Sequence, residues 1–338
     1  MPAKLKQMTI DCLQLKLICT NPLRHINLAA GMKVHYDIER LPVFNKAVVT
    51  IGTFDGVHLG HQKIIQALQK EAVHIGGETV IITFDPHPRK VLSSDPSLQL
   101  ITTLDEKIKL LGALGVNHVV VVPFTKAFAG QSAEAYIKDF LVGRFHPHTV
   151  IIGYDHRFGH GRQGDYKLLE EKADIYQYQL LEIPKRVIEE ISISSTKIRS
   201  ALLSSDIDTA NMLLGYSFFF EGTVIKGDAL GRTLGYPTAN LHYNNEDKIH
   251  LGEGVYAVYV HVNGEEKKGM LSIGKRPTID AHLEESVEVN IFDFNEDIYG
   301  ETIKITVQKY LRPQEKYASL DQLIQQLAID KENSLRCL

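Results

Sequence analysis

The sequence predicts an α/β doubly wound domain followed by a small antiparallel β domain closed by a C-terminal helix. Three observations carry that expectation. Between about residues 47 and 190, short continuous apolar runs alternate with helical patterns, as in βαβ units whose strands are covered on both faces. From about residue 216 the texture changes to strand-like runs separated by Gly, Asn and Asp turns, which reads as a small barrel or sandwich. Near residue 317 the period changes again, and ASLDQLIQQLAID places apolar residues at helical spacing.

In chain order, AVVTIGTF (47–54) is the first buried strand, with a helix from about residue 61. TVIITF (79–84) precedes a helix in DEKIKLLGALG, HVVVVPF (118–124) precedes one in AEAYIKDFL, and TVIIG (149–153) precedes one in YKLLEEKA. FFFEGTVI, GVYAVYVHV, KKGMLSIG, SVEVNIFDF and ETIKITVQKYL supply the second domain's strands. The divisions expected are an unstructured extension at 1–31, a first domain at 32–205, a linker at 206–217 and a second domain at 218–338. The leading segment's best apolar stretch, LQLKLIC, is broken by Lys16, so a secretory signal fits poorly, and Met32 opens a second, cleaner beginning, MKVHYDIERLP.

Bulk properties exclude several classes. The 338 residues suffice for two cores. A net charge of −4 with both signs interspersed argues against a broad nucleic-acid surface. No apolar run approaches a membrane span. Cys12, Cys19 and Cys337 lack zinc spacing and make no disulfide framework, which favours a reducing cytoplasm.

Two constellations carry chemistry. The first is IGTFDGVHLGHQ (51–62), at the carboxyl end of a predicted parallel strand, where such sheets bind ligands. Gly52, Gly56 and Gly60 allow close backbone approach. A helix starting near Gly60 aims free N–H groups at the same place, and His58 and His61 can point there. That set suits charge developing on a transferred phosphate. The second is KGDALGRTLGYPTANL (226–241), whose Thr238 and Asn240 share one face of an extended strand and offer oxygen to magnesium. In SVEVNIF (286–292), Val287, Val289 and Ile291 take one face while Glu288 and Asn290 take the other. Glu288 is either an ordinary solvent-facing carboxylate or a general base. GHGRQG (159–164) matches a dinucleotide fingerprint in form, but YDHRF separates it from its strand, so a nicotinamide site is rejected. His146, His148, His156 and His160 read as loop histidines rather than metal ligands.

GTFDGVHLGH resembles the nucleotide-binding turn of nucleotidylyltransferases in the FAD synthetase version. ISSTKIRSAL (193–202) resembles that family's second motif, and TFDPHPR (83–89) and IIGYDHRFGHGRQGD (151–165) resemble its intervening elements. GRTLGYPTANL, SIGKRPTI, VEVNIFDFNEDIYG and YLRPQEKYASLDQL resemble the riboflavin kinase domain. The resemblance implies a Rossmann-like nucleotidyltransferase domain joined to a six-stranded barrel. It implies phosphorylation of riboflavin by ATP and adenylylation of FMN to FAD with release of pyrophosphate. By residue it implies catalytic roles for His58, His61, Arg199 and Glu288. It implies nucleotide contacts at Gly52, Phe54, Asp55, Gly60, Asp155, Ser195, Thr196, Gly227, Thr238 and Asn240, with Asp155 falling where some members carry Asn. Thr238 and Asn240 would hold Mg²⁺, and Arg312, expected in a loop, would lie near flavin. The partners expected are riboflavin, FMN and ATP, with no nucleic acid and no membrane, self-association being left open. Two alternatives stand: an enzyme with one activity whose other domain only binds, and a flavin or nucleotide sensor without turnover.

Overall fold

The computed structural model describes residues 31–92, 98–153, 156–183, 194–227, 231, 234–277 and 283–338. The expected extension, apart from Gly31, and Asp155 lie outside them. Six strands form the first sheet: β1 (Lys33–His35), β2 (Val48–Ile51), β3 (Thr79–Asp85), β4 (His118–Pro123), β5 (Thr149–Gly153) and β6 (Gln179–Ile183). Their order is β1-β4-β3-β2-β5-β6, and every pairing is parallel. From β2 the chain moves to β3 on one side and later returns to β5 on the other. The carboxyl end of β2 is therefore the switch point at which open α/β sheets form a ligand crevice.

Alternate side chains divide between two cores. Val48, Ile81, Val119 and Ile151 pack with Ile65 and Leu68 of α1 (Leu59–Ile75) and with Ile108 and Leu111 of a second long helix. Val49, Ile82, Val120 and Ile152 pack with Tyr136 and Phe140 on the other face. The helix expected at AEAYIKDFL is widened into a π-helical stretch over Tyr136–Val142. Of the other helices, α2 spans Pro88–Leu92, α3 spans Leu104–Ala113 and α4 spans Tyr166–Tyr176. Helix α3 opens with a capping box, in which Thr103 and Glu106 each accept from the other's backbone N–H.

The stretch at 206–217 contains a helix. After α5 (Ser195–Leu203), α6 (Ile207–Leu214) is capped by Asp206 and ended by Gly215 at φ +76°. It buries Ile207, Ala210 and Leu214. Strand β2 is shorter than expected, because Phe54, Gly56 and Val57 take positive φ and leave the sheet.

The second half is a closed antiparallel barrel: β7 (Phe219–Ile225), β8 (Ala239–Tyr243), β9 (Gly254–Val262), β10 (Glu265–Pro277), β11 (Leu283–Ile291) and β12 (Thr302–Arg312), ordered β10-β11-β8-β7-β12-β9. Asn263 and Gly264, both at positive φ, make the tight β9–β10 turn. Val258, Leu271, Val289 and Ile305 fill the interior, and their cluster is continuous with the α1 and α3 side of the sheet. Helix α7 (Leu320–Cys337) runs longer than its apolar pattern. It buries Asp330 and Ser334 while Leu320, Ile329 and Leu335 stay exposed, so the pattern alone misplaces its inner face.

Candidate active sites

The first site is built on the turn that joins β2 to α1. Gly52 donates to Ile82 O at 3.0 Å, and the chain then reverses through Phe54 (φ +48°), Gly56 (φ +81°) and Val57 (φ +37°). His58 is the N-cap of α1, its Nδ1 accepting from His61 N at 3.4 Å. The two imidazoles stack at 3.7 Å between centroids and 14° between planes. A Cβ at Gly60 would sit 3.1 Å from the His58 ring, so a side chain there would press that ring to shift by a few tenths of an ångström. Phe54 is core, 1% exposed, and supports the His61 ring at 5.0 Å. Its ring packs beneath the histidines.

Asp55 is tied into the same turn from two sides. It is 1% exposed, and one oxygen accepts from Thr102 N at 3.1 Å while the other accepts from Arg199 Nη2 at 2.5 Å. A carboxylate held this way anchors the turn and orients Arg199. Arg199 further donates from Nε to Gln99 O at 2.8 Å, which leaves guanidinium N–H groups for an anion. Ser195 starts α5 and donates to Asp55 O at 3.2 Å, while Thr196 stands exposed beside it. His58, His61, Asp55, Ser195 and Arg199 thus come together from two distant parts of the chain.

Two further groups join them. His87 is 8% exposed and accepts from Arg89 N at 3.2 Å. Lys107 of α3 is 6% exposed and donates to Thr83 Oγ1 at 3.3 Å. His87 lies in the TFDPHPR stretch, whose resemblance assigns no role to a single residue. Lys107 sits in a pattern that reads as an ordinary amphipathic helix and gave no signal. Burial lowers the pKa of His58 to about 4, outweighing the opposing pull of Asp55. Burial does the same to His87, also to about 4. His61 is held well below 6.5 by burial and then by His58 and Lys107. Burial likewise lowers Lys107. The pocket therefore presents neutral imidazoles at pH 7.

These depressed values fix a sign for stability. An unfolded histidine takes a proton below about pH 6.5, whereas the folded His58 and His87 do not until about pH 4. The folded state thus loses stability as pH falls through that window and keeps it above. Melting temperature measured from pH 7 to 4.5 should fall, and His87→Gln should flatten that fall. A slope equal to the parent's would place the cause elsewhere.

The second site lies on the outer face of the barrel under α7, around a cavity of about 410 Å³. Thr238, Asn240, Ser272, Glu288, Asn290, Arg312, Tyr317 and Asp330 are among its lining. Strand alternation does what the pattern implies: Val287, Val289 and Ile291 go inward, and Glu288 and Asn290 face the cavity. Glu288 lies opposite Asn240 on β8 and opposite Ser272 on β10. Its Oε2 accepts from Thr238 Oγ1 at 3.1 Å and its Oε1 from Ser286 Oγ at 2.9 Å. Gly227 leaves room for Asn240, since a Cβ there would collide with the side-chain amide. Thr238 and Asn240 are neutral oxygen donors beside a carboxylate, a set that fits a hard cation keeping most of its waters.

Arg312 is not in a loop; it is the last residue of β12. Its guanidinium is bound to the buried Asp330 of α7, Nε to Oδ1 at 2.9 Å and Nη2 to Oδ2 at 2.6 Å. That pair, with Tyr317 beyond it at 5.9 Å from the guanidinium carbon, forms one wall of the cavity. Asp330 was missed because, in a helix read by its apolar residues, an acid at a buried position looks like part of the wet face.

The comparisons with known proteins agree with both halves. A family model described as FAD synthetase matches residues 42–197, and one described as riboflavin kinase matches 214–338. The bifunctional riboflavin kinase/FMN adenylyltransferase of Listeria monocytogenes is 39% identical over 85% of this chain and 91% of its own. The Bacillus subtilis protein of the same description is 39% identical over 86% and 92%. A crystal structure described as a macrolide-efflux protein from Streptococcus pneumoniae matches with a TM-score of 0.81 at 32% identity, over 90% of this chain and 98% of that one. Among the described residues, no helix is long and apolar enough to cross a membrane. With a turn of paired histidines at the switch point and a carboxylate–threonine–asparagine cluster on a closed barrel, matched in order by both models, the chain belongs to the bifunctional riboflavin kinase/FMN adenylyltransferase family.

Proposed function

We propose that this chain makes FAD from riboflavin in two ATP-dependent steps, one in each half, in the cytoplasm. In the barrel, Glu288 takes the proton from the terminal ribityl hydroxyl of riboflavin. The oxygen bonds to the γ-phosphorus of ATP, the bridge to the β-phosphate breaks, and FMN and ADP leave. Thr238 and Asn240 would hold Mg²⁺, which supplies charge neutralisation on the phosphates. Arg312, fixed by Asp330, borders the space left for the flavin.

In the sheet domain the FMN phosphate is the nucleophile. One of its oxygens bonds to the α-phosphorus of a second ATP, and pyrophosphate departs with the bridging oxygen. His58 and His61 lie at the positive end of α1 and donate to the phosphate oxygens as charge develops. Arg199 balances charge on the leaving pyrophosphate, and Ser195 ties α5 to the turn. Neutral imidazoles are suited to this, because a hydrogen bond strengthens on a developing charge without a prior ion pair to break.

The observation that carries this reading is that both polar constellations are assembled in one chain. The experiment is a time course of purified protein with riboflavin, excess ATP and Mg²⁺, with flavins separated chromatographically. FMN that rises and then gives way to FAD is the expected result. FMN alone would restrict catalysis to the barrel, and bound but unchanged riboflavin would leave a sensor.

A further inference from the structure

The histidine turn carries strain that its internal backbone hydrogen bond, Val57 N to Phe54 O at 3.1 Å, does not hold alone. Val57 is β-branched at φ +37°, immediately before His58, in a region that such a residue adopts only when its surroundings enforce it. Further restraints come from side chains. Gly56 N donates to Thr102 Oγ1 at 3.0 Å, and Gly56 O accepts from Tyr216 OH at 2.6 Å. Gln62 Nε2 joins Val57 O at 3.0 Å to Leu214 O at 2.9 Å. Tyr216 is buried, and its phenol pKa is pushed well above 10 by burial and then by Glu106 and Asp55, so it stays a donor.

Thr102 is itself held from the barrel. Lys248, in the β8–β9 connection, is 2% exposed. Its Nζ donates to Ile101 O at 2.8 Å and pairs with Glu106 at 2.5 Å, inside the α3 capping box. Backbone from the same connection runs beside Leu100, with Ile249 N donating to Leu100 O at 2.8 Å. Tyr216 and Lys248 both fall within the segment matched by the riboflavin kinase model.

We infer that the barrel half, through Tyr216 and Lys248, shapes the adenylyl-transfer site: both are positioning residues for the histidine turn, Tyr216 at Gly56 and Lys248 through Thr102. The inference rests on the adenylyltransferase reading above. It predicts a one-way dependence, since neither side chain lines the cavity around Glu288.

The test uses the full chain. Tyr216→Phe removes one oxygen and keeps the ring. FAD formation from supplied FMN should fall on the order of tenfold in kcat, with the KM for ATP and FMN changing less than about twofold. Riboflavin phosphorylation should be unchanged. The imidazole NMR signals of His58 and His61 should move. Lys248→Met should repeat the pattern and Lys248→Arg should recover much of the loss. A lowered melting temperature with unchanged kcat per folded molecule would overturn the inference by making the contacts merely structural, and so would parallel loss of both activities. If Tyr216→Phe does not fold, the Lys248→Arg and Lys248→Met pair decides alone: equal FAD turnover in the two overturns it. Absence of FAD formation in the parent chain would instead sink the functional reading itself.

Discussion

His61→Ala should lower FAD formation from FMN by about a hundredfold or more while leaving riboflavin phosphorylation within about twofold of the parent, as expected for loss of a preorganised donor. The side chain is placed for use rather than for stability. Its Nδ1 is buried among the described residues with no hydrogen-bond partner, an arrangement that costs free energy in the resting protein. Its ring is stacked on His58 and backed by Phe54, so its direction is set before substrate arrives. Alanine suits a first helical turn and removes the unsatisfied nitrogen. The His58 cap survives, because it uses the backbone N of residue 61. Melting temperature should therefore stay within a few degrees of the parent, which separates lost chemistry from lost fold. Coupled assays, one fed riboflavin and one fed FMN, give the comparison. Equal loss in both would break the assignment of this turn to adenylyl transfer.

The contrast between Lys107 and His61 shows where the sequence is legible. His61 sits in a turn whose glycines, position after an apolar strand and following helix all point to an anion site, so local pattern suffices. Lys107 belongs to DEKIKLL, where the helical period explains every residue; only the tertiary packing of α3 across β3 buries it beside Thr83. Asp55 divides in the same way. Its place in the turn is readable, but its partners Thr102 and Arg199 are 47 and 144 residues away. No local rule could tell an anchoring carboxylate from a ligand-binding one. The sheet was legible because continuous apolar runs survive any context. The end of β2 was not, because Thr53 and Phe54 favour strand by type, while the chain turns there and Gly56 is tied to Thr102, just before α3, and to Tyr216 at the α6–β7 junction. Helix α6 had readable signals, Asp206 before it and Gly215 after it, but at eight residues its apolar period is short.

Glu288→Gln should remove riboflavin phosphorylation by on the order of a hundredfold to ten-thousandfold, the range of a lost general base, while FAD formation from supplied FMN continues. The amide matches the carboxylate in size and keeps an acceptor, so it isolates basicity from packing. In the parent, the Thr238 and Ser286 hydroxyls point their protons at Glu288. Two hydroxyl donors fix the direction of a group that, when ionised, only accepts. The same bond turns the Thr238 lone pairs away from Glu288, where they can face a cation. One hydrogen bond thus prepares both the base and the metal ligand. The substituted amide has one oxygen and cannot accept from both hydroxyls with equal geometry, so one of them must rotate. If it is Thr238, the KM for ATP should rise along with the fall in kcat, and Thr238→Val should show the KM effect with a smaller loss of kcat. Steady-state kinetics of both variants, with riboflavin and ATP varied in turn, measure the two effects separately. A Glu288→Gln variant that phosphorylates riboflavin at the parent rate would return Glu288 to an ordinary cavity-lining residue and require the proton to leave by another route.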